Sequence, residues 1–99
     1  MQWTVIYHEE VDSDLSLIGP SNARRILKVI EERLQKGEPE KAGKLLRGEF
    51  KGLRRIRTGN LRIIYNVDSG NVEVLVVAVG MRRDEEVYAL VASRLDDVK

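Results

Sequence analysis

The chain has no cysteine among its 99 residues. This absence excludes disulfide bonds and cysteine-based metal sites, and it is compatible with a reducing compartment. The N-terminal segment MQWTVIYHEE also lacks the basic start and the apolar run of a signal peptide. The longest apolar run, Val74–Val79, is too short to span a bilayer. We therefore expect a cytoplasmic protein with no membrane partner.

Histidine is scarce, since His8 is the single one in the chain. It stands beside Glu9 and Glu10, but no second histidine or cysteine completes a metal site. We therefore predict no metal and no cofactor. The sequence also lacks a Walker motif, a dinucleotide-binding glycine fingerprint, a serine nucleophile elbow and a Cys–His pair. The enzyme classes that depend on those motifs are excluded.

The length predicts one small domain, residues 1–99. The formal net charge is only +1, but basic residues are concentrated between Lys41 and Tyr65, where Glu49 is the single acid. A locally basic surface on a nearly neutral protein indicates a polyanionic partner. The alternative is that these residues are spread around a solvated surface. They are Lys41, Lys44, Arg47, Lys51, Arg54, Arg55, Arg57 and Arg62.

The N-terminal half predicts one strand and two helices. Trp3–His8 is rich in β-forming residues. Glu9–Ile18 has apolar residues at helical spacing, and a Gly-Pro pair then ends the helix. Ser21 is a candidate cap for a second helix, whose apolar stripe is suited to packing on a sheet. That stripe is Ala23, Ile26, Leu27, Ile30 and Leu34.

The C-terminal half predicts three strands and a last helix, after a polar connection at Glu38–Leu46. The strands are Leu53–Arg57, Leu61–Val67 and Val72–Val79. The last strand is apolar on both faces, which is typical of an interior strand. Asp84–Leu95 has helical spacing. The order βααβββα predicts an α+β fold, with an antiparallel-rich four-stranded sheet packed against an N-terminal helical hairpin and a C-terminal helix.

Three arginines are placed where their side chains can meet. Alternate residues of a strand share a face, so Arg55 and Arg57 point the same way, and the following turn can bring Arg62 beside them. Like charges repel at such distances unless an anion or nearby carboxylates neutralise them. The planar fork of arginine suits phosphate oxygens, so we favour phosphate binding. The alternative is pairing with acids of the chain, such as Glu49, Glu73 or Asp84.

The segment after the interior strand offers further chemistry. Gly80 permits a sharp turn or a close backbone approach, which would leave Arg82 at the strand end beside the arginines. Tyr88 has an aromatic face for stacking a nucleobase and a hydroxyl for proton transfer. The alternative for Tyr88 is a half-buried packing residue. Tyr65 is expected in the core, and Trp3 is expected to be structural.

These residues resemble those of the RelE/ParE superfamily of toxins, and the RelE branch more closely. The resemblance covers almost the whole chain, including the blocks LLRGEFKGLRRIRTGNLRIIYNV and VGMRRDEEVY. The pattern shared across the superfamily is Arg57, Gly59, Arg62 and Tyr65. The combination more specific to ribosome-dependent mRNA interferases is Gly80, Arg82 and Tyr88.

The resemblance implies a toxin of a type II toxin–antitoxin system that cuts mRNA in the ribosomal A site without a metal. The 2′-hydroxyl attacks the adjacent phosphate, which yields a cyclic phosphate and a 5′-hydroxyl. By position, Arg62 and Arg82 would stabilise the scissile phosphate, and Tyr88 would orient the base and the 2′-hydroxyl and transfer a proton. Arg55 stands where the family has a proton-transfer lysine, and because arginine stays protonated it would clamp charge instead.

A second family lysine falls on Leu53, and Lys51 or Arg54 would compensate for it. We predict that the remaining basic residues bind RNA or the ribosome: Lys44, Arg47, Lys51, Arg54, Arg57 and Arg83.

The implied partners are a RelB-like antitoxin, the ribosome with its mRNA, and operator DNA contacted indirectly through the antitoxin complex. The last helix would supply the apolar groove for the antitoxin or be displaced by it. One alternative function is that of a ParE-like toxin, which inhibits DNA gyrase by binding and has no RNase activity. Another is a catalytically weak member whose main role is antitoxin binding and autoregulation.

Overall fold

The computed structural model describes residues 2–81 and 84–98. The strands are β1 (Thr4–Tyr7), β2 (Lys44–Leu45), β3 (Leu53–Thr58), β4 (Leu61–Asp68) and β5 (Glu73–Met81). The helices are α1 (Val11–Ile18), α2 (Pro20–Val29, extended by a π-helical stretch at Ile30–Gln35), α3 (Pro39–Ala42) and α4 (Asp84–Val98). A short 3-10 turn, Gly48–Phe50, lies between β2 and β3.

The strands form one mixed sheet in the order β1-β5-β4-β3-β2. β1 runs parallel to β5, and the other neighbours are antiparallel. The predicted α+β class and the interior position of β5 are confirmed, but the predicted four strands are five. The additional strand, β2, lies within the connection predicted at Glu38–Leu46. Its two residues are too few to show an alternating pattern.

The start of the second helix also differs from the prediction. Gly19 is the N-cap residue, Pro20 occupies the first turn, and no side chain caps this helix, so Ser21 is not its cap. The fixed φ of proline already suits the first helical position, which explains why the helix begins two residues earlier than predicted.

Each face of the sheet carries its own apolar cluster. The α1–α2 hairpin covers one face, where Ile26, Ile30 and Leu34 pack with Ile63 and Tyr65. Helix α4 covers the other face through a second cluster, which consists of Leu53, Ile64, Val77, Ala78, Val87 and Val91. Tyr65 is fully buried, as predicted, and its hydroxyl donates to the carbonyl oxygen of Pro39 at 2.8 Å. Burial raises the pKa of this hydroxyl.

A bulge in β5 lets this strand serve both clusters. Ile64 pairs with Ala78 and Tyr65 pairs with Val76, so Val77 is left over between two consecutive pairs. An extra residue of this kind reverses the alternation of side chains along the strand. Val76 therefore packs under the helical hairpin, whereas Val77 and Ala78 both pack under α4.

A buried ion pair completes the hydrogen bonding along the open edge of β5. The pairing of β1 with β5 ends at Val76, and beyond it Asp14 of α1 accepts the Val79 N–H at 3.1 Å. Arg94 of α4 donates to the Val77 carbonyl oxygen at 2.9 Å and to both Asp14 carboxylate oxygens at 2.7 and 2.8 Å. This bond to Asp14 raises the pKa of Arg94. Both side chains are almost fully buried, so the pair ties α1, β5 and α4 together.

We predict that Asp14→Ala lowers the free energy of unfolding by about 3–5 kcal/mol, because it leaves the Arg94 charge buried without its carboxylate. Urea denaturation measures this change. Asp12→Ala, at an exposed position of the same helix, is the control and should change stability by no more than about 0.5 kcal/mol. The double variant Asp14→Leu/Arg94→Met should regain most of the loss. Equal effects of the Asp14 and Asp12 variants would contradict the stabilising role of the pair.

Candidate functional site

The predicted convergence of three arginines is confirmed by the register of β3 and β4. Arg57 lies directly opposite Arg62, and Arg55 lies opposite Ile64. Ile64 belongs to the cluster under α4, so all three arginines share the α4 side of the sheet. Arg57 is exposed, whereas Arg55 and Arg62 are half-buried.

Strand β2 adds a fourth cation to this surface. Lys44 pairs with Arg55 across the β2–β3 ladder, and directly paired residues project from the same face. Lys44 is exposed at the edge of the sheet. We refer to Lys44, Arg55, Arg57 and Arg62 as the cationic face.

Arg54 is placed apart from the cationic face, although its neighbours in sequence form it. Strand alternation turns Arg54 to the side of the helical hairpin, where its guanidinium donates to the Gly43 carbonyl oxygen at 2.9 Å. Its charge also lowers the pKa of the Tyr65 hydroxyl, against the larger effect of burial. The described contacts of Arg54 are therefore those of a structural residue, and it does not compensate on the cationic face for the family lysine at Leu53.

Leu53 itself is a core residue, only 2% exposed in the cluster under α4. The loop before it presents two basic side chains, Arg47 and Lys51, which are both exposed on either side of the 3-10 turn. The N–H of Leu46 donates to the Leu53 carbonyl oxygen at 2.9 Å and closes this loop. The loop thus brings further positive charge next to β3.

Tyr88, on the first turns of α4, is held at two points. Its ring stacks on Phe50, with centroids 5.1 Å apart and an interplanar angle of 24°. Its hydroxyl accepts a hydrogen bond from Arg55 Nη1 at 2.9 Å. The half-buried ring packs in the α4 cluster, as one interpretation of the sequence predicted, and its hydroxyl lies at the cationic face. The predicted roles of Tyr88 in base stacking and proton transfer stay predictions.

Phe50 was not identified from the sequence as part of the site. The sequence did contain an indication of its role, because Phe50 is the single phenylalanine of the chain and lies between two glycines in the most basic segment. Both glycines, Gly48 and Gly52, have positive φ, +66° and +95°, which favours glycine. They shape the turn that presents the Phe50 ring to α4.

Gly80 permits α4 to approach the sheet beside the cationic face. It pairs with Arg62 across β4 and β5, and a Cβ atom at this position would lie 2.3 Å from Val87 Cγ2. The φ of Gly80 is not positive, so space rather than backbone conformation requires glycine. The close approach places Val87, and therefore Tyr88, against the sheet.

Arg82 and Arg83 lie outside the described residues. The chain leaves β5 at Met81 and begins α4 at Asp84. Their predicted roles, for Arg82 in binding the scissile phosphate and for Arg83 in binding RNA, stay predictions.

Metal-ligating side chains are not clustered in the part of the chain that the structure describes. Within residues 2–81 and 84–98, no three His, Cys, Asp or Glu side chains are grouped to hold a metal ion. His8 is buried between β1 and α1, and its Nδ1 accepts the Glu10 N–H at 3.1 Å. Among these same residues, no helix has the length and apolarity needed to cross a membrane.

The cationic face is suited to an anion with several oxygen atoms, such as a phosphodiester.

The family is shown by a sequence profile. A profile described as the ParE toxin of the type II toxin–antitoxin system parDE matches residues 5–86. The chain therefore belongs to this family, within the RelE/ParE superfamily of toxins of type II toxin–antitoxin systems. No curated protein sequence matches the chain significantly.

Solved structures of RelE toxins share the fold. A chain of the RelBE2 toxin–antitoxin complex from Mycobacterium tuberculosis is 27% identical, with a TM-score of 0.77 over 83% of this chain and 100% of that chain. A free arginine-to-alanine variant of Escherichia coli RelE is 24% identical, with a TM-score of 0.74 over 96% and 99%. A chain of the intact E. coli RelBE complex is 25% identical, with a TM-score of 0.63 over 82% of this chain and 98% of that chain. The predicted RelE-like fold is confirmed.

We predict that Gly80→Ala lowers the free energy of unfolding by about 1–3 kcal/mol, because the new methyl group overlaps Val87 Cγ2. The same substitution made in a Val87→Ala background should cost less, since the overlapping methyl group is then absent. Urea denaturation of the four proteins gives this comparison. An equal cost of Gly80→Ala in both backgrounds would show that the contact with Val87 is not what requires glycine.

Proposed function

We propose that this toxin is a ribosome-dependent, metal-independent endoribonuclease that cleaves mRNA in the ribosomal A site and thereby inhibits translation. The observation that carries the proposal is the position of the Tyr88 hydroxyl, hydrogen-bonded to Arg55 at the cationic face. Of the three tyrosines, Tyr65 uses its hydroxyl in the core and Tyr7 lies on β1. Tyr88 alone combines a hydroxyl with the arginine cluster.

The proposed reaction is an attack of the 2′-hydroxyl on the adjacent phosphorus. The 2′-oxygen–phosphorus bond forms, the bond from phosphorus to the 5′-oxygen breaks, and a 2′,3′-cyclic phosphate and a 5′-hydroxyl result. One proton leaves the 2′-hydroxyl and one reaches the departing oxygen. Arg62 and Arg82 bind the phosphate oxygens and stabilise the charge that develops on them in the transition state.

Arg55 and Tyr88 together take the roles of the family lysine: Arg55 supplies positive charge, and Tyr88 takes part in proton transfer. Arginine remains protonated, so Arg55 supplies positive charge and a hydrogen bond rather than a base. Its N–H occupies one acceptor position of the Tyr88 hydroxyl. The hydroxyl proton and a second lone pair are left for the substrate, so Tyr88 orients the 2′-hydroxyl and takes part in proton transfer.

The remaining basic residues bind RNA in this proposal. Lys44 and Arg57 lie on the cationic face, and Arg47 and Lys51 flank it on the preceding loop. Arg83 lies next to Arg82 in the sequence. These charges match the phosphate backbones of the mRNA and of ribosomal RNA, which makes binding dependent on salt concentration. Arg54 contributes least, because it faces the helical hairpin.

A RelB-like antitoxin is the proposed inhibitory partner, and operator DNA is bound indirectly through that complex. The E. coli and M. tuberculosis structures of similar fold are toxin–antitoxin complexes. In this chain an apolar groove of about 250 Å³ separates α1 from α4 and is lined by Leu17, Met81, Val87 and Leu90, among others. Leu17 is 81% exposed there, and a side chain of that kind is readily covered by an amphipathic helix.

Inhibition of DNA gyrase by binding is the second candidate function. It is favoured by the match to a profile described as the ParE toxin. A gyrase inhibitor needs the cationic face or the groove for contact, but it needs no group for proton transfer. The Tyr88 hydroxyl therefore separates the two functions.

We predict that inducing the wild-type protein creates new mRNA 5′ ends within translated codons, detected by primer extension on a reporter mRNA. Arg82→Ala and Tyr88→Phe should each reduce cleavage by about 100-fold or more. Tyr88→Phe keeps the ring on Phe50 and removes only the hydroxyl. Tyr7→Phe is the matched control and should cleave like the wild type. Growth arrest without new mRNA ends would contradict the nuclease and direct the test to DNA supercoiling by gyrase.

A further inference from the structure

We propose that Phe50 is a positioning residue for Tyr88, and that its ring holds the Tyr88 hydroxyl in the orientation that cleavage requires. The inference rests on the proposed nuclease function. It concerns a loop residue that has no reacting group of its own. Phe50 acts through its stacking contact alone.

The geometry of the ring pair supports this role. Centroids 5.1 Å apart and rings inclined by 24° lie within the range in which aromatic pairs attract each other. In a tyrosine side chain, rotation about the Cα–Cβ bond sets the position of the hydroxyl oxygen, and rotation about the Cβ–Cγ bond sets the plane of the ring. The stack on Phe50 restrains the ring, and the 2.9 Å bond from Arg55 restrains the oxygen. The two contacts together fix both the plane of the ring and the location of its reactive end.

The loop that carries Phe50 is built to present the ring at a defined place. The Leu46 N–H to Leu53 carbonyl bond closes the loop, and Leu53 anchors its end in the core. Further backbone bonds join Arg47 to Phe50 and Gly48 to Lys51. Phe50 itself is half-buried against the α4 cluster, so it is not a freely moving surface aromatic.

A double-mutant cycle on mRNA-programmed ribosomes tests the inference. Phe50→Leu should slow single-turnover cleavage by about 10- to 100-fold, because a small misplacement of a reacting group has an effect of this size. The toxin concentration at half-maximal rate should not change. Phe50→Leu combined with Tyr88→Phe should be no slower than Tyr88→Phe alone, since Phe50 acts only through the hydroxyl. Phe50→Tyr keeps an aromatic ring and should restore most of the rate.

Leu46→Ala is the matched control, because Leu46 packs against the same cluster without stacking on Tyr88; its cleavage rate should stay unchanged. Nuclear magnetic resonance of ring-labelled tyrosine gives a readout that does not depend on cleavage. Phe50→Leu should shift the Tyr88 ring signals and leave those of Tyr7 and Tyr65 in place.

Three outcomes would overturn the inference. Additive effects of Phe50→Leu and Tyr88→Phe would show that Phe50 acts independently of the hydroxyl. Unchanged Tyr88 signals in Phe50→Leu would show that the stack does not hold the ring. A wild-type protein that cleaves no mRNA would overturn the proposed function and the role of Phe50 in it, whereas the first two outcomes leave the nuclease intact.

Discussion

The buried ion pair between Asp14 and Arg94 is the interaction on which the arrangement of the site depends. Beyond the end of the β1–β5 pairing, this pair supplies the hydrogen-bond partners of the Val79 N–H and the Val77 carbonyl oxygen. It also joins β5 to helices on both sides of the sheet. Desolvating two charges is costly, and the bidentate geometry with added backbone bonds offsets that cost. A buried charge has few acceptable partners, so the pair fixes where α4 lies. With α4 fixed, Val87 closes on Gly80 and Tyr88 reaches Arg55.

The cationic face places like charges side by side on neighbouring strands. Arg57 directly opposite Arg62, and Lys44 opposite Arg55, place like charges in cross-strand pairs, which destabilises a sheet. Such a cost is expected where the charges serve to bind an anion, since functional sites commonly depart from the rules of stability. The apolar α4 cluster packs on the same side of the sheet as these residues. The proposed binding residues and the packing residues thus occupy different positions on the same strands.

Features that follow from the regular periodicity of strands and helices were predicted from the sequence. Features that depend on single tertiary contacts were not. Alternation along β3 and β4 placed Arg55, Arg57 and Arg62 on one face, and it placed Tyr65 in the core, because strand periodicity decides both. The same alternation turns Arg54 to the other face, but Arg54 was grouped with the binding residues because it lies in the basic segment. Strand β2 was missed because two residues show no period.

The remaining differences arise from tertiary contacts. Asp14 and Arg94 occupy inward positions on helices that are otherwise apolar there, but they are 80 positions apart in the chain. Only the folded structure shows that they meet. Phe50 was overlooked for a similar reason, since its partner Tyr88 is on a distant helix. The bulge at Val77 has no sequence signature of its own, because it lies within a continuous apolar run whose residues are suited to either face of the sheet.

The central claim is that this family member cuts RNA through its cationic face and the Tyr88 hydroxyl. The most direct test is to identify the chemical ends of the mRNA fragments that the purified protein produces on programmed ribosomes in the presence of a metal chelator. The account predicts a 2′,3′-cyclic phosphate on one fragment and a 5′-hydroxyl on the other, formed only when ribosomes are present. Fragments that carry a 3′-hydroxyl and a 5′-phosphate, or an mRNA that remains intact, would contradict it.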